Sequence, residues 1–443
     1  MPTDRTRVIW ARLNRFFSIE QRGSTIQTEI LAGCSTFLAL SYIFIVNPAI
    51  LAQAGIDKSS ALFATIAASG LATLAMGIWA RLPFAVAPGM EMNAYVAFFV
   101  VGTLGLNWNQ ALGTVLWSGL LCLAVTLTGA REGIINAIPA RMKSGLSLSV
   151  GVFLVLVALR VAGILQYEGV SLRGFGPLTG VGAQALVGGT VLIFILERLR
   201  VRGSVLISML LMAPVCLFSA HGTSPDGPPQ VSSSMLAAVG RLDAAVVMQP
   251  SALNVILTLF VLDFYGSIAK FVGLTLRTDL MEEGKLPRMK EALLVDGLAT
   301  SAGACLGTSS LITYVESAVG IATGGRTGLT AVVCGLLMLS CFFTVPLFQM
   351  VPTVATTGAL LFVAVKLCPP LAELRRYGQV DRLALIVMVA TVILTFAIDK
   401  AMLAGFLIYL AGDLGRRQRP NTYLAISAAL LGLGSLLQQT FQR

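Results

Sequence analysis

Long apolar runs recur along almost the whole chain, each close to the ~20 residues that carry a helix across a hydrocarbon core of about 30 Å. Inside lipid every backbone N–H and C=O must find a partner within the protein, which leaves helices or a closed barrel as spanning structures. Barrel strands alternate apolar and polar residues over about 10 positions, and these runs do not alternate. The spans are therefore helices. Composition agrees: only 12% of residues are charged and 56% are hydrophobic, with a mean hydropathy of +0.84. That is too little charge to cover the surface of a soluble protein, so the chain is expected to be an all-α polytopic membrane protein.

The runs place spans at 28–50, 59–80, 84–103, 109–129, 143–164, 181–198 and 203–220. After a polar loop they resume at 252–276, 290–306, 310–324, 328–347, 352–369, 382–398 and 401–415. This gives fourteen transmembrane segments, seven in each half. Five units follow: an N-terminal amphipathic segment (1–27), a first seven-span repeat (28–220), an extracytoplasmic loop (221–251), a second repeat (252–415) and a C-terminal segment (416–443). Residues 421–438 offer either a fifteenth crossing or the true last span, should 382–415 be a re-entrant hairpin.

Charge placement supports the count. With the N-terminus inside, nearly all arginines and lysines of the connections fall on the cytoplasmic side, and the other side holds only Lys58, Arg173, Arg241 and Lys400. The net charge of +10 is thus a topology signal and not a nucleic-acid surface. Residues 1–23 lack an apolar stretch before the first span, so they read as an Arg-rich interfacial lead-in that stays in the cytoplasm and not as a cleavable signal. The expected location is a bacterial inner membrane. Seven cysteines sit mostly within apolar runs without metal-ligand spacing, and neither a metal nor a cofactor is expected.

Two spans differ from the rest. Span 3 opens with an extended-looking piece, Phe84 to Ala87, followed by Pro88-Gly89; span 10 opens with hydroxyl and β-branched residues from Thr308 to Thr313. Both are third in their group of seven, and an odd number of spans per group makes the two halves run in opposite directions through the bilayer. Interrupted spans at matching places in inverted repeats point to a transporter site, because broken helices expose backbone N–H groups and a positive helix end near the midplane. The plainer alternative is that Pro and Gly kink two helices. Within span 10 lies Glu316. A charge at bilayer depth costs roughly 2.5 to 3.5 kcal/mol on insertion scales, so it calls for a partner, a wet cavity or a ligand.

At these residues the chain resembles the nucleobase:cation symporters of the nucleobase/ascorbate transporter group, in their adenine/guanine/hypoxanthine permease branch. The matching stretches are TEILAGCSTFLALSYIFIVNPAIL (28–51), APGMEMNAYVAF (87–98), LTGAREGIINAIP (127–139) and GTSSLITYVESAVGIATGGRTGLTAVV (307–333). The resemblance implies a core and a gate domain built from two inverted repeats, a substrate held between spans 3 and 10 beside span 8, and a homodimer formed through the gate domain. It implies secondary active uptake of a purine nucleobase by alternating access, with a proton as the coupling ion.

A purine edge presents ring N–H donors beside carbonyl or imine acceptors, which a carboxylate and an amide complement. Glu316 and Asn93 supply those groups at the positions where the resemblance places ligands. A helix-capping role is the alternative for each. Asp263, Phe264, Phe84, Gly266 and Tyr314 complete the expected substrate-binding set, the aromatics as faces on which a planar base can stack.

Span 8 departs from the family pattern of roughly Asp-x-Phe-Asp-Thr-x-Gly-Thr. Here the second acid is Gly266, Lys270 replaces a small polar residue, and Glu91 stands where span 3 usually has Gly. Residues 263, 266 and 270 share a helical stripe. An unpaired lysine there is costly, so Glu91 or Asp263 is expected as its partner, and Glu91, Lys270 and Glu316 are the candidates for charge pairing or coupling. Two readings stay open. Either a Glu91–Lys270 pair replaces the usual acid and the cargo is a purine, or Lys270 recognises an anionic group and the protein is a facilitative or ion-coupled carrier of an acidic purine or other small organic anion. Arg160 and Lys366 read as snorkelling side chains near span ends. Asp296 is expected to pair with a neighbouring span. With no nucleophile, metal cluster or ATP-binding motif in view, the chain is not expected to be an enzyme.

Overall fold

The structure is a computed structural model describing residues 4–128, 140–168, 171–219, 235–275, 280, 286–368, 377–396 and 398–415, with a few helical positions between 422 and 432. Residues 129–139, the loop up to 234 and most of 416–443, including the possible fifteenth crossing, lie outside the described residues.

Span 1 is two helices, Ile26–Leu40 and Ile43–Ala52, joined at Ser41–Tyr42. Span 2 is Lys58–Ala75, which widens into a π-helical turn at Met76–Ala80. Span 3 is a short strand, β1 (Val86–Pro88), then a helix Met90–Ala94 that continues as π-helix over Tyr95–Val101. Spans 4 and 5 are Trp108–Leu127 and Ala140–Val161. A hairpin of β2 (Leu165–Glu168) and β3 (Ser171–Phe175) precedes spans 6 (Val181–Arg198) and 7 (Ser204–Ser219). Span 8 runs Pro250–Thr275, with Pro in the first turn where its missing N–H costs nothing. Span 9 is Met289–Leu306, and span 10 is β4 (Leu311–Thr313) followed by the helix Ser317–Ala322. Span 11 begins as Gly328–Ser340 and ends as Val345–Gln349; spans 12, 13 and 14 are Thr357–Leu367, Gln379–Thr395 and Ile398–Gly415.

Among the described residues five helical runs are long and apolar enough to cross alone: Ile26–Ala52, Lys58–Ala80, Trp108–Leu127, Val181–Arg198 and Gly328–Gln349. Side-chain caps fix several starts: Thr25 accepts from the Thr28 N–H, Asp57 from Ser60 and Thr327 from Leu329.

Packing divides the spans into two groups, 1–4 with 8–11 and 5–7 with 12–14. Span 11 lies on spans 1 and 2, while span 4 lies on spans 8 and 9; exchanging the repeats converts one set into the other. Similarly span 12 packs on span 6 as span 5 packs on span 13, and span 6 on span 7 as span 13 on span 14. The molecule is therefore two inverted seven-span repeats, whose first four spans form the core group and last three the gate group. Small residues bring core helices close: a Cβ at Gly77 would sit 2.5 Å from the Gly328 carbonyl oxygen.

The pseudo-twofold axis passes through the strand pair. β1 and β4 are antiparallel with Ala87 opposite Ile312 at the centre, flanked by Val86–Thr313 and Pro88–Leu311. Gly89 N–H to Ser310 O and Tyr314 N–H to Ala85 O, both 2.9 Å, extend the ladder at either end. One threonine from the preceding span clamps each strand. Thr73 Oγ1 accepts from Val86 N at 2.9 Å and donates to Val86 O at 3.0 Å, and Thr300 Oγ1 does the same to Leu311 at 3.2 and 2.9 Å. The strands are shorter than the extended stretches read from sequence, because Phe84, Ala85 and Thr308–Ser310 lie outside the paired register.

Candidate functional site

The interrupted spans cross with both half-helices starting beside the strand pair, and each puts a carboxylate near its first turn: Glu91 in Met90–Ala94 and Glu316 just before Ser317–Ala322. A helix N-terminus favours negative charge, which lowers the cost of holding these groups at bilayer depth. Glu316 makes no side-chain capping bond to its own helix. Instead its Oε1 accepts a 2.7 Å hydrogen bond from Tyr42 OH, contributed by the break in span 1. This carboxylate is turned toward a ligand space and away from its helix.

That space is a cavity of about 360 Å³ between the two groups. From the core side it is lined by Tyr42, Met90, Glu91, Lys270, Tyr314 and Glu316; spans 6, 7 and 12 and the connection Arg200–Gly203 supply the facing wall. Lys270 Nζ lies 3.0 Å from Glu91 Oε1, with both side chains about nine-tenths buried. Tyr314 hands its hydroxyl to the Pro88 carbonyl at 2.5 Å, holding its ring at the cavity edge. Lys366 also reaches the wall, where it pairs with Glu197 at 2.6 Å.

Of the residues singled out from sequence, Glu316, Tyr314, Glu91 and Lys270 thus meet around one cavity. The others lie behind it. Asn93 is fully buried in the half-helix of span 3 and is not a cap, since Gly89 occupies that position. Its Oδ1 accepts from Ser309 Oγ, which ties the two interrupted spans together, and its Nδ2 has no hydrogen-bond partner. Asp263 faces the rear of β4, with Ser267 Oγ at 3.2 Å and Thr300 Oγ1 at 3.1 Å; each hydroxyl shares its one proton between Asp263 and a second acceptor, Asp296 and the Leu311 carbonyl respectively. Phe84 packs on Phe271 at 5.6 Å and Phe264 on Phe260 at 5.3 Å between ring centroids, so both serve the packed interior. Gly266 is open on one side: among the described residues a Cβ there meets nothing nearer than Glu91 Oε1 at 4.0 Å.

Asp296 accepts the Thr313 N–H at 3.1 Å and a bond from Ser267 Oγ, so its partners are a strand and span 8. Arg160 does not simply snorkel; its guanidinium lies 5.1 Å over the Phe98 ring of span 3 and 5.6 Å over Phe396, bridging the two groups.

Two functional residues escaped the sequence reading. Tyr42, the donor to Glu316, sits in a quoted family stretch, and its signal was a phenol beside Ser41 in the middle of an apolar span. Glu29 is fully buried and accepts from the backbone N–H groups of Arg326, Thr327 and Thr330 at 2.9 to 3.3 Å, and from Thr330 Oγ1 at 2.5 Å. It thereby caps span 11 and anchors the turn that ends span 10.

Known proteins resemble this chain along nearly its full length. A profile of a group described as Permease family matches residues 27–402. The adenine permease AdeQ of Escherichia coli (strain K12) is 33% identical over 431 residues, covering 96% of each chain. The guanine/hypoxanthine permease PbuG of Bacillus subtilis (strain 168) is 34% identical over 411 residues, 90% of this chain and 93% of that one. Among solved structures, the transmembrane domain of a cyanobacterium bicarbonate transporter, BicA, superposes with a TM-score of 0.61 at 16% identity, over 86% of this chain and 97% of that domain. The murine anion transporter Slc26a9 gives 0.67 at 10% identity, over 88% of this chain and 69% of that one. Such low identities speak for the fold alone, and they agree with the core and gate groups seen here. By the profile, the relatives and the crossed half-helices together, the chain belongs to the permease family of nucleobase/ascorbate transporters, as a multi-pass membrane transporter and not an enzyme.

Proposed function

We propose that this permease takes up a purine nucleobase by proton symport with alternating access of its core group against its gate group. Relatives named as adenine and guanine/hypoxanthine permeases support the cargo class. The observation that carries the reading is Glu316: a carboxylate held at a half-helix start by one tyrosine, facing a cavity large enough for a bicyclic base. With one oxygen engaged by Tyr42, the carboxylate retains acceptor capacity for purine N–H groups. Protonation of Glu316 would discharge the site and let an empty or loaded core move, which is how a proton gradient enters the cycle. Tyr314 supplies the aromatic edge, and the Asn93 amide nitrogen keeps its N–H donors unpaired in the same half-helix as Glu91.

In this reading the N-terminus and the basic 6–7 connection are cytoplasmic, in a bacterial inner membrane. The cavity, walled by Arg200 and Arg202, then opens inward. Two copies join through the gate group, as the family resemblance implies.

The anion reading assigns recognition to Lys270. Glu91 at 3.0 Å neutralises that ammonium, which favours an uncharged cargo. Competition separates the two. In cells lacking their own purine carriers, unlabelled adenine, guanine or hypoxanthine at tenfold excess is expected to suppress labelled purine uptake at least fivefold, while small carboxylates leave it unchanged; no purine uptake, with uptake of a labelled small carboxylate in its place, would establish the anion carrier.

A further inference from the structure

Two ion pairs line the cavity among the described residues, and they differ in kind. Lys366–Glu197 joins spans 12 and 6 of the gate group, with side chains 53% and 41% exposed. Lys270–Glu91 joins spans 8 and 3 of the core group, with side chains 12% and 10% exposed. Both members of the inner pair ride on the same group, so rocking of core against gate leaves their contact intact. Gly266, one turn before Lys270, presents no side chain, and the Glu91 carboxylate lies across the space in front of it, 4.0 Å from where a Cβ would stand.

The core wall of the cavity therefore holds two carboxylates, Glu91 and Glu316, and one ammonium. Tyr42 and Tyr314 also face this space from spans 1 and 10; Glu197, Arg200, Arg202 and Lys366 face it from the gate. Asp263, on the helix of Lys270, is turned to Ser267 and Thr300. A carboxylate near the bilayer midplane needs a compensating cation, and in a gradient-driven carrier the mobile ion can be that cation.

We propose that Lys270 is a tethered counter-cation: its ammonium permanently occupies the place beside Glu91 that a mobile sodium ion or proton would otherwise take. Glu91 then stays neutralised throughout the cycle, and Glu316 is left as the carboxylate of the core wall that exchanges a proton, Glu197 on the gate wall being paired with Lys366. This rests on the reading of the chain as a gradient-driven carrier. It also fits the glycine at 266, since an acid there would compete with Glu91 for the lysine.

The test uses purified full-length protein without substrate, so it stands even where purine uptake fails. Thermal stability is measured for wild type, Lys270→Gln and the double variant Glu91→Gln/Lys270→Gln, in choline chloride against sodium chloride and at pH 8 against pH 6. Lys270→Gln is expected to gain at least ~2 °C over wild type on adding sodium or on acidification, because a ligand that binds only the folded state raises its melting temperature. The double variant, with no carboxylate to neutralise, is expected to lose that gain. The same cation response in Lys270→Gln and wild type, or its retention in the double variant, overturns the proposal. So does a Lys270→Gln protein that fails to fold under every cation and pH while the double variant folds, since no mobile cation then stands in for the ammonium. Rescue of its folding by sodium or acid alone supports it.

Discussion

Glu316 and Tyr42 illustrate how one hydrogen bond can define a site. The phenol donates to the carboxylate at 2.7 Å across 274 positions of chain, from the break in span 1 to the start of the span 10 half-helix. Hydrogen bonds to charged groups contribute about 1.5 to 3 kcal/mol, a factor of roughly ten to a hundred in an equilibrium. Tyr42→Phe keeps the ring and removes only the donor. It is expected to raise the uptake KM several-fold, as concentration-dependent uptake in vesicles will show, and to lower thermal stability measurably, because the Glu316 carboxylate loses its donor in the folded state as well. Glu316 was legible in the sequence because a charge inside an apolar run is expensive wherever it falls. Tyr42 was not, since a tyrosine in such a run is ordinarily packing and nothing local marks its hydroxyl as aimed at a carboxylate.

At the scale of elements, the strand pair is the hinge of the design. β1 and β4 have few ladder bonds of their own, so Thr73 and Thr300 fasten them to spans 2 and 9 by the same pair of bonds. The repeats differ one register further on. Asp296, one turn before Thr300, accepts the Thr313 N–H; exchange of the repeats matches it to Ser69, one turn before Thr73, and Thr313 to Pro88, which has no N–H to give, and the Ser69 hydroxyl is left without a hydrogen-bond partner. Proline thus explains why repeat two carries an acid where repeat one carries a serine. Thr300→Val preserves shape but leaves the buried Leu311 N–H and Asp263 short of a partner, at a cost of roughly 1 to 3 kcal/mol. Thermal unfolding is expected to show a clear drop for Thr300→Val and for Thr73→Val alike. Spans 3 and 10 could be read from sequence because Pro88-Gly89 and the Thr308–Thr313 run break helical patterning. The break at Ser41–Tyr42 has neither Pro nor Gly, and the π-helical turns leave apolar periodicity almost unchanged, so those features emerged only in the structure. Asp263 sits on the predicted polar stripe with Gly266 and Lys270, but it lies two turns from Lys270, where Ser267 and Thr300 meet it, and a stripe alone does not say which neighbour each level faces.

The whole molecule joins two observations. Exchange of the repeats reproduces the packing of core and gate, and the cavity lies where the crossed half-helices of the core meet the gate. The count of spans and the inverted halves followed from hydropathy and charge asymmetry, which act over the entire chain. The division into core and gate could not, because it depends on which spans touch. The proposed alternating access of a site on the core requires that its carboxylate, and not the gate wall of Glu197, Arg200, Arg202 and Lys366, hold the cargo. The direct measurement is accumulation of labelled purine base in carrier-deficient cells expressing wild type or Glu316→Gln at matched membrane levels. The account predicts concentrative uptake by wild type and a loss of at least about thirtyfold in Glu316→Gln, the equivalent of one charge-assisted hydrogen bond; undiminished purine accumulation by Glu316→Gln, or none by the folded, inserted wild type, would contradict it.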